Sequence, residues 1–124
     1  MNKRLEGVIL KPNIVIPGLS CSKQASIDEV ADATIKCLRL SVPVAVGGIA
    51  FLSGGQSGLP ALAHLNAMHA GYESKLPWPL TFSFAQAIQQ PQMLIWHGED
   101  SNIQSAQQAF LFLRIPEKIP RICY

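Results

Sequence analysis

The sequence predicts an α/β fold in which parallel strands alternate with helices. Two observations lead to this prediction. Short apolar runs of strand length end at polar or glycine-rich turns, and the segments between them have the three-and-four spacing of amphipathic helices. The chain has 124 residues, of which 48% are hydrophobic, so it is long and apolar enough for one globular domain with a core.

The composition excludes several classes of function. The net charge is only +2 and the charged residues are scattered, so there is no basic stripe for nucleic acid. No apolar run reaches the roughly 18 residues of a membrane span. Charges near the start interrupt any signal peptide, which predicts a cytoplasmic protein. The three cysteines lack the spacing of a zinc site or a disulfide framework, and the histidines are expected to pack or face solvent, so no metal site is predicted.

The first half of the chain gives clear signals for strands and helices. An apolar run, Gly7–Leu10, predicts the first strand. The sequence 26–29 (Ser-Ile-Asp-Glu) is a capping box, and an apolar stripe follows it to about Ser41, where Pro43 limits the helix. The near-continuous apolar run 44–52 predicts a strand that is covered on both faces.

The second half continues the alternation of helix and strand. Leu59 and Pro60 are expected to open a helix that ends near Gly71, and the run 80–84 alternates with the period of a strand. A helix is predicted over 86–96, bent or divided by Pro91. Ser101 and Gln104 predict a second capping box at the start of a last helix. The buried face of that helix is expected to carry Ile103, Ala106 and Phe110.

The two tryptophans, Trp78 and Trp96, are predicted to be packing anchors.

Residues capable of chemistry follow each predicted strand. Lys11 follows the first, Ser53 the second, and the segment 83–86 the third. Because the carboxyl ends of parallel strands meet at one edge of a sheet, these residues are expected to line one site.

Lys11 can be interpreted in two ways. A lysine at the end of a strand is most often an ordinary side chain that reaches into water. A neutral amine at the mouth of a buried strand can instead attack a carbonyl carbon and form a Schiff base.

Ser53, Gly54 and Gly55 also have two interpretations. Most Ser-Gly-Gly triplets are flexible turns. At the end of a buried strand, however, glycine lets backbone amides approach an anion closely, and the serine hydroxyl adds a donor, which favours phosphate binding.

Two motifs carry a family resemblance. The stretch 5–18 (LEGVILKPNIVIPG) resembles the Schiff-base strand of class I fructose-bisphosphate aldolases, and 51–57 (FLSGGQS) resembles their phosphate-binding loop. The resemblance implies that the chain is part of a TIM (β/α)8 barrel, about the last three βα units plus a C-terminal helix. It also implies that Lys11 is the catalytic nucleophile and that Ser53, Gly54 and Gly55 bind a substrate phosphate.

A third stretch resembles the family's last barrel strand but departs from it. In 78–89 (WPLTFSFAQAIQ), Ala85 and Gln86 stand where the family has glycine and a phosphate-binding arginine. These positions are therefore expected to face a substrate phosphate, and Gln86 can donate only a neutral hydrogen bond. An altered phosphate contact leaves open a lyase of the same type that acts on another phosphorylated sugar.

The resemblance implies cleavage of fructose 1,6-bisphosphate in glycolysis and gluconeogenesis, without a metal or other cofactor. The family's acid–base groups lie upstream of the stretch that matches, so the chain alone is expected to be weakly active or inactive. The resemblance covers 1–112, and 113–124 is an unmatched tail. The expected partners are a phosphorylated sugar and, as a homo-oligomer or mixed assembly, other aldolase subunits. The alternative is a non-enzymatic fragment that associates with full-length aldolase or chaperones.

Overall fold

The computed structural model describes residues 4–114, apart from the side chains of residues 73, 113 and 114. Its strands are β1 (Ile9–Leu10), β2 (Gly48–Phe51) and β3 (Leu80–Phe82). Its α-helices are α1 (Ile27–Ser41), α2 (Gly58–Tyr72), α3 (Gln86–Trp96) and α4 (Ile103–Arg114), and 3-10 turns lie at Leu5–Gly7, Glu73–Lys75 and Asp100–Asn102. The predicted α/β fold is confirmed.

The three strands form one parallel sheet in the order β1-β2-β3. Leu10 pairs with Ile49 on one side of β2, and Phe51 pairs with Phe82 on the other. An isolated parallel bridge between Asn13 and Leu52 extends the first pairing beyond β1. All three strands therefore end at the same edge of the sheet, as the sequence predicts.

The second strand begins later than the apolar run suggests. Val46 donates a backbone hydrogen bond of 3.1 Å to the carbonyl of Pro43, and Val44 is 73% exposed. The predicted start at Val44 is wrong because residues 43–46 form a turn before the chain enters the sheet. Gly47 then passes close to the preceding segment, since a Cβ atom there would lie 2.6 Å from the carbonyl oxygen of Glu6.

Helix α1 begins as predicted. The Ser26 side chain accepts from the amide of Glu29, and the Glu29 carboxylate accepts from the amide of Ser26, which completes the capping box. The stripe behind it is buried from Val30 onward, although Ile27 itself is exposed. The residues buried on α1 are Val30, Ala31, Thr34, Ile35 and Leu38.

The core lies between the sheet and helices α1 and α2. The largest side chains with less than 2% exposure include Phe51, Ile14, Ile35, Ile49, Leu65 and Met68. Trp78 is a packing anchor as predicted, because it is 3% exposed and its Nε1 donates to the carbonyl of Pro43 at 2.9 Å.

The segment after β3 differs from the prediction in three respects. Helix α3 continues through Pro91 as one element, so a division of the helix at this proline is wrong. Ser101 lies in a 3-10 turn and not at the cap of α4, so the second capping box is wrong. Trp96 is 41% exposed; like Ile103 and Phe110 it lines an open groove between α3 and α4 instead of packing in the core.

None of the helices in the described part of the chain combines the length and hydropathy that crossing a membrane requires. Over the same residues, no three His, Cys, Asp or Glu side chains gather in a cluster that could hold a metal ion. Residues 115–124, most of the predicted tail, lie outside the described residues.

Candidate active site

Lys11 follows β1 directly and lies at the edge of the sheet where the strands end. The next residue, Pro12, accepts a 3.0 Å hydrogen bond from the amide of Leu52, so the chain after Lys11 stays paired with the end of β2. The Lys11 side chain is exposed, and within residues 4–114 it forms no ion pair. It is therefore free to meet a molecule that approaches this edge.

The segment after Lys11 is fixed to helix α1 by Thr34. The Thr34 hydroxyl, which is fully buried, accepts from the amide of Val15 at 3.0 Å and donates to the carbonyl of Val30 at 2.7 Å. Ile14, next to Val15, is 2% exposed and belongs to the core. Lys11 is thus held from both directions along the chain, by β1 before it and by this buried contact after it.

Ser53 to Gln56 form a tight turn at the end of β2. The amide of Gln56 donates to the carbonyl of Ser53 at 3.1 Å, and the two residues between them, Gly54 and Gly55, have φ of 58° and 85°. Positive φ at both central positions is typical of turns that only glycine and a few polar residues adopt without strain. The glycines are therefore required by the shape of the turn itself.

The same turn presents unused donors. Neither the Gly54 amide nor the Gly55 amide donates a hydrogen bond to another group in the described part of the chain. Asn13 lies so close to Gly54 that a Cβ atom there would overlap its side-chain oxygen. Consecutive free amides in a positive-φ turn form a concavity that suits an anion, and the segment that carries Lys11 packs directly against it.

A pair of side chains supports the turn from the side of α2. The Gln56 Nε2 donates to the carbonyl of Ser53 at 3.1 Å, and the Gln56 Oε1 lies 2.6 Å from Nδ1 of His64. His64 is 9% exposed, and its burial lowers the pKa of the imidazole below the ordinary value of 6.5. The imidazole is thus favoured in its neutral form.

Ala85 and Gln86 lie at the third strand end. Ser83 pairs with β2 through a 2.8 Å hydrogen bond from its amide to the carbonyl of Phe51. Ala85 is the N-cap of α3 and has no side chain that could cap it, and Gln86, the first helical residue, is exposed. The first turn of α3 therefore offers amides that no side chain occupies, and an anion is stabilised at such a position.

The structure thus brings together the predicted site residues at one edge of the sheet, in the order Lys11, the turn Ser53–Gly55, then Ala85 and Gln86. Sequence reasoning missed Asn13, Gln56 and His64. Their contacts join residues of different elements, and local patterns in the sequence give no signal for them beyond the Gln that follows the glycine pair. An exposed amine at the same edge of the sheet as two groups of free backbone amides is an arrangement that suits a carbonyl compound carrying an anionic group.

Comparison with known proteins decides the family. The family model described as "Glycolytic: Fructose-bisphosphate aldolase class-I" matches residues 1–115. The chain belongs to the class I fructose-bisphosphate aldolase family. The resemblance seen in the two motifs is therefore confirmed over almost the whole chain.

Two relatives show how much of an aldolase the chain spans. It is 50% identical over 108 residues to a probable fructose-bisphosphate aldolase class 1 of Xylella fastidiosa, covering 86% of this chain and 32% of the relative. It is 48% identical over 109 residues to the fructose-bisphosphate aldolase of Echinococcus multilocularis, covering 88% of this chain and 30% of the relative. The chain thus spans about a third of the length of these aldolases.

A solved aldolase has the same arrangement of elements. The structure of fructose-bisphosphate aldolase from Plasmodium falciparum, in complex with TRAP and a small-molecule inhibitor, superposes with a TM-score of 0.79 at 38% identity. The match covers 89% of this chain and 31% of that chain. The prediction of a partial aldolase barrel is confirmed.

Proposed function

We propose that this chain supplies the Schiff-base lysine and a phosphate-binding turn for the cleavage of fructose 1,6-bisphosphate to dihydroxyacetone phosphate and glyceraldehyde 3-phosphate. The observation that carries the proposal is the position of Lys11 and the Gly54-Gly55 turn at one edge of the sheet, where Asn13, two residues after Lys11, packs against Gly54. Membership of the aldolase family supports the reaction type.

The amine and the carbonyl carbon define the covalent step. After losing one proton, the side-chain nitrogen of Lys11 adds to the keto carbon, the keto oxygen leaves as water, and the iminium that results withdraws electrons from the neighbouring carbon–carbon bond. As that bond breaks, the hydroxyl proton on the departing carbon passes to water; glyceraldehyde 3-phosphate is released, and the enamine of dihydroxyacetone phosphate stays on Lys11. Protonation of the enamine and hydrolysis of the iminium then return the free amine.

The turn and the start of α3 would hold the phosphate groups. The amides of Gly54 and Gly55 would donate to phosphate oxygens, with Ser53 beside them, and Ala85 and Gln86 would present the first turn of α3. Gln86 offers a neutral donor, and a hydrogen bond to a charged group is worth about 1.5 to 3 kcal/mol, so the contact here would be weaker than one from arginine.

The remaining expectations belong to the same proposal. The reaction as proposed needs no metal or other cofactor, because the iminium itself accepts the electrons. A cytoplasmic location and assembly with further aldolase subunits are also part of the proposal. Among the relatives, the aldolase of Oryza sativa is named chloroplastic.

Trapping of the Schiff base tests the proposal. The 124-residue chain would be incubated with dihydroxyacetone phosphate, reduced with borohydride and analysed by intact mass. We expect one adduct per chain, with the mass of the triose phosphate less water plus two hydrogens. Lys11→Arg should abolish the adduct, whereas the matched change Lys23→Arg, at another exposed lysine, should leave it. An adduct that survives in Lys11→Arg would contradict the proposal, as would no adduct on the folded chain.

A further inference from the structure

Two residues outside the proposed catalytic machinery fix the shape of the glycine turn. The Ser53 carbonyl accepts two hydrogen bonds from Gln56, one from the backbone amide at 3.1 Å and one from the side-chain Nε2 at 3.1 Å. The side chain of Gln56 therefore closes the turn a second time. A contact that orients the Gln56 side chain therefore also orients the Ser53 carbonyl, and with it the turn formed by Gly54 and Gly55.

The orientation of the Gln56 amide decides which tautomer of His64 is present. Because Nε2 must point at the Ser53 carbonyl to donate, the Gln56 oxygen points the other way, at Nδ1 of His64. The Gln56 oxygen can only accept, and two acceptors without a hydrogen between them would repel each other at 2.6 Å. Nδ1 of His64 must therefore carry the hydrogen. The exchanged orientation of the Gln56 amide would set its oxygen against the Ser53 oxygen.

His64 is a firm support for this chain of hydrogen bonds. It lies near the middle of α2, which spans Gly58–Tyr72, and it is 9% exposed. Its neighbours along the same face, Ala61, Leu65 and Met68, are fully or almost fully buried in the core. The imidazole therefore transmits the position of the core helix to the turn at the active-site edge.

We propose that His64, acting through Gln56, is a positioning residue that holds the Gly54-Gly55 turn in the shape that binds a substrate phosphate. The chain of contacts runs from the His64 Nδ1–H to the Gln56 oxygen, and from the Gln56 Nε2–H to the Ser53 carbonyl. The effect of His64 on phosphate binding rests on the proposed function of the turn. The effect of His64 on the conformation of the turn does not depend on that function.

The tautomer of His64 gives a test that needs no variant. In a sample labelled with ¹⁵N in its histidines, the proposal expects His64 to have a protonated Nδ1 and a bare Nε2 at neutral pH. A neutral His64 that carries its hydrogen on Nε2 would overturn the proposal, whether or not the turn binds phosphate.

Variants test the consequence for the turn. His64→Leu removes the donor, and His69→Leu is the matched control, because His69 is 8% exposed on the same helix and makes no side-chain hydrogen bond within residues 4–114. Hydrogen exchange of the Gln56 amide should be about ten-fold faster in His64→Leu and change by less than about two-fold in His69→Leu. Equal effects in the two variants would mean a general role in packing and would overturn the proposal.

Titration with inorganic phosphate, followed at the Gly54 and Gly55 amides by NMR, tests whether the His64 hydrogen bond affects phosphate binding by the turn. The dissociation constant for phosphate should rise about ten-fold in His64→Leu, because ordering the turn then costs part of the binding free energy. It should return to within about three-fold of wild type in His64→Asn, because the Asn amide can donate to Gln56. Failure of Asn to rescue would count against the hydrogen bond. If phosphate does not shift the Gly54 and Gly55 amide signals of the wild-type chain, the proposed function of the turn is wrong. The tautomer of His64 and the amide exchange rates then still test the role of His64.

Discussion

Gly54 is the residue on which the turn at the end of β2 depends most directly. Its φ of 58° costs a residue with a Cβ atom about 1 to 2 kcal/mol, and the added atom would also displace the side chain of Asn13. We therefore expect Gly54→Ala to lower the free energy of unfolding by about 1 to 2 kcal/mol in urea denaturation. Gly71→Ala is the control, because nothing lies within 4 Å of the added atom and alanine favours the helix. Equal stability of both variants would refute the argument.

The buried imidazole of His64 predicts how stability depends on pH. Its folded pKa is lowered by burial below the ordinary value of 6.5, so the unfolded chain takes up a proton first as the pH falls. This contribution to stability is complete above 6.5 and is lost as the pH falls toward the folded pKa. Urea unfolding between about pH 7.5 and about pH 5 should show stability falling with pH, and His64→Leu should fall less steeply. Parallel slopes in the two proteins would contradict this.

Single residues differ in how far the sequence could reveal them. The positions of Lys11 and the Ser53–Gly55 turn at strand ends could be predicted, because each follows directly on an apolar run. The contact of Gln56 with His64 could not, since it depends on the angle at which α2 leaves the turn. The exposure of Trp96 could not be predicted either, because large aromatic residues are usually buried and only the packing of α3 shows otherwise.

Among the secondary-structure elements, α1 holds the segment that follows Lys11 through the Thr34 hydroxyl. Thr34→Val keeps the shape of the side chain but removes the acceptor of the Val15 amide. A buried donor left without a partner costs about 1 to 3 kcal/mol, so the free energy of unfolding should fall by that amount. Ala31→Gly, on the same buried face, is the control that separates a general loss of helix stability from this effect.

Hydrogen exchange at a single amide distinguishes Thr34→Val from Ala31→Gly. Hydrogen exchange at the Val15 amide should be much faster in Thr34→Val, whereas in Ala31→Gly it should change only in proportion to global stability. If the Val15 amide exchanges alike in both variants, the hydrogen bond does not anchor the segment.

The elements also show where local signals are sufficient. The capping box fixes the start of α1, because both of its hydrogen bonds lie within four consecutive residues. A division at Pro91 and a cap at Ser101 are wrong predictions, because α3 is one helix and the chain forms a 3-10 turn before α4. The late start of β2 follows from the turn at Pro43, which an apolar run alone does not reveal.

For the molecule as a whole, the sheet described here has three strands, so within residues 4–114 β1 and β3 each have one unpaired edge. Several large apolar side chains are exposed near these edges and in the groove between α3 and α4, among them Ile9, Trp96 and Phe110. Open edges and apolar surface promote association. We expect the 124-residue chain to self-associate in light scattering coupled to size exclusion, and a monodisperse monomer with a sharp thermal transition would contradict this.

The fold class of the whole molecule could be predicted because alternating strand and helix signals leave few arrangements other than parallel βα units. The family could be predicted because two motifs occur in the right order at strand ends. The packing of Asn13 against Gly54 is a property of the assembled sheet, and only the structure shows that the lysine segment and the glycine turn touch.

In the function proposed above, Lys11 and the Gly54-Gly55 turn form one site, with the amine at the carbonyl group and the turn at the phosphate. The most direct measurement compares borohydride trapping of dihydroxyacetone phosphate with trapping of unphosphorylated dihydroxyacetone on the wild-type chain. We expect half-maximal labelling of Lys11 at a concentration at least about ten-fold lower for the phosphorylated compound, as one hydrogen bond to a charged group would give. Equal labelling by both compounds would show that the turn does not serve the lysine.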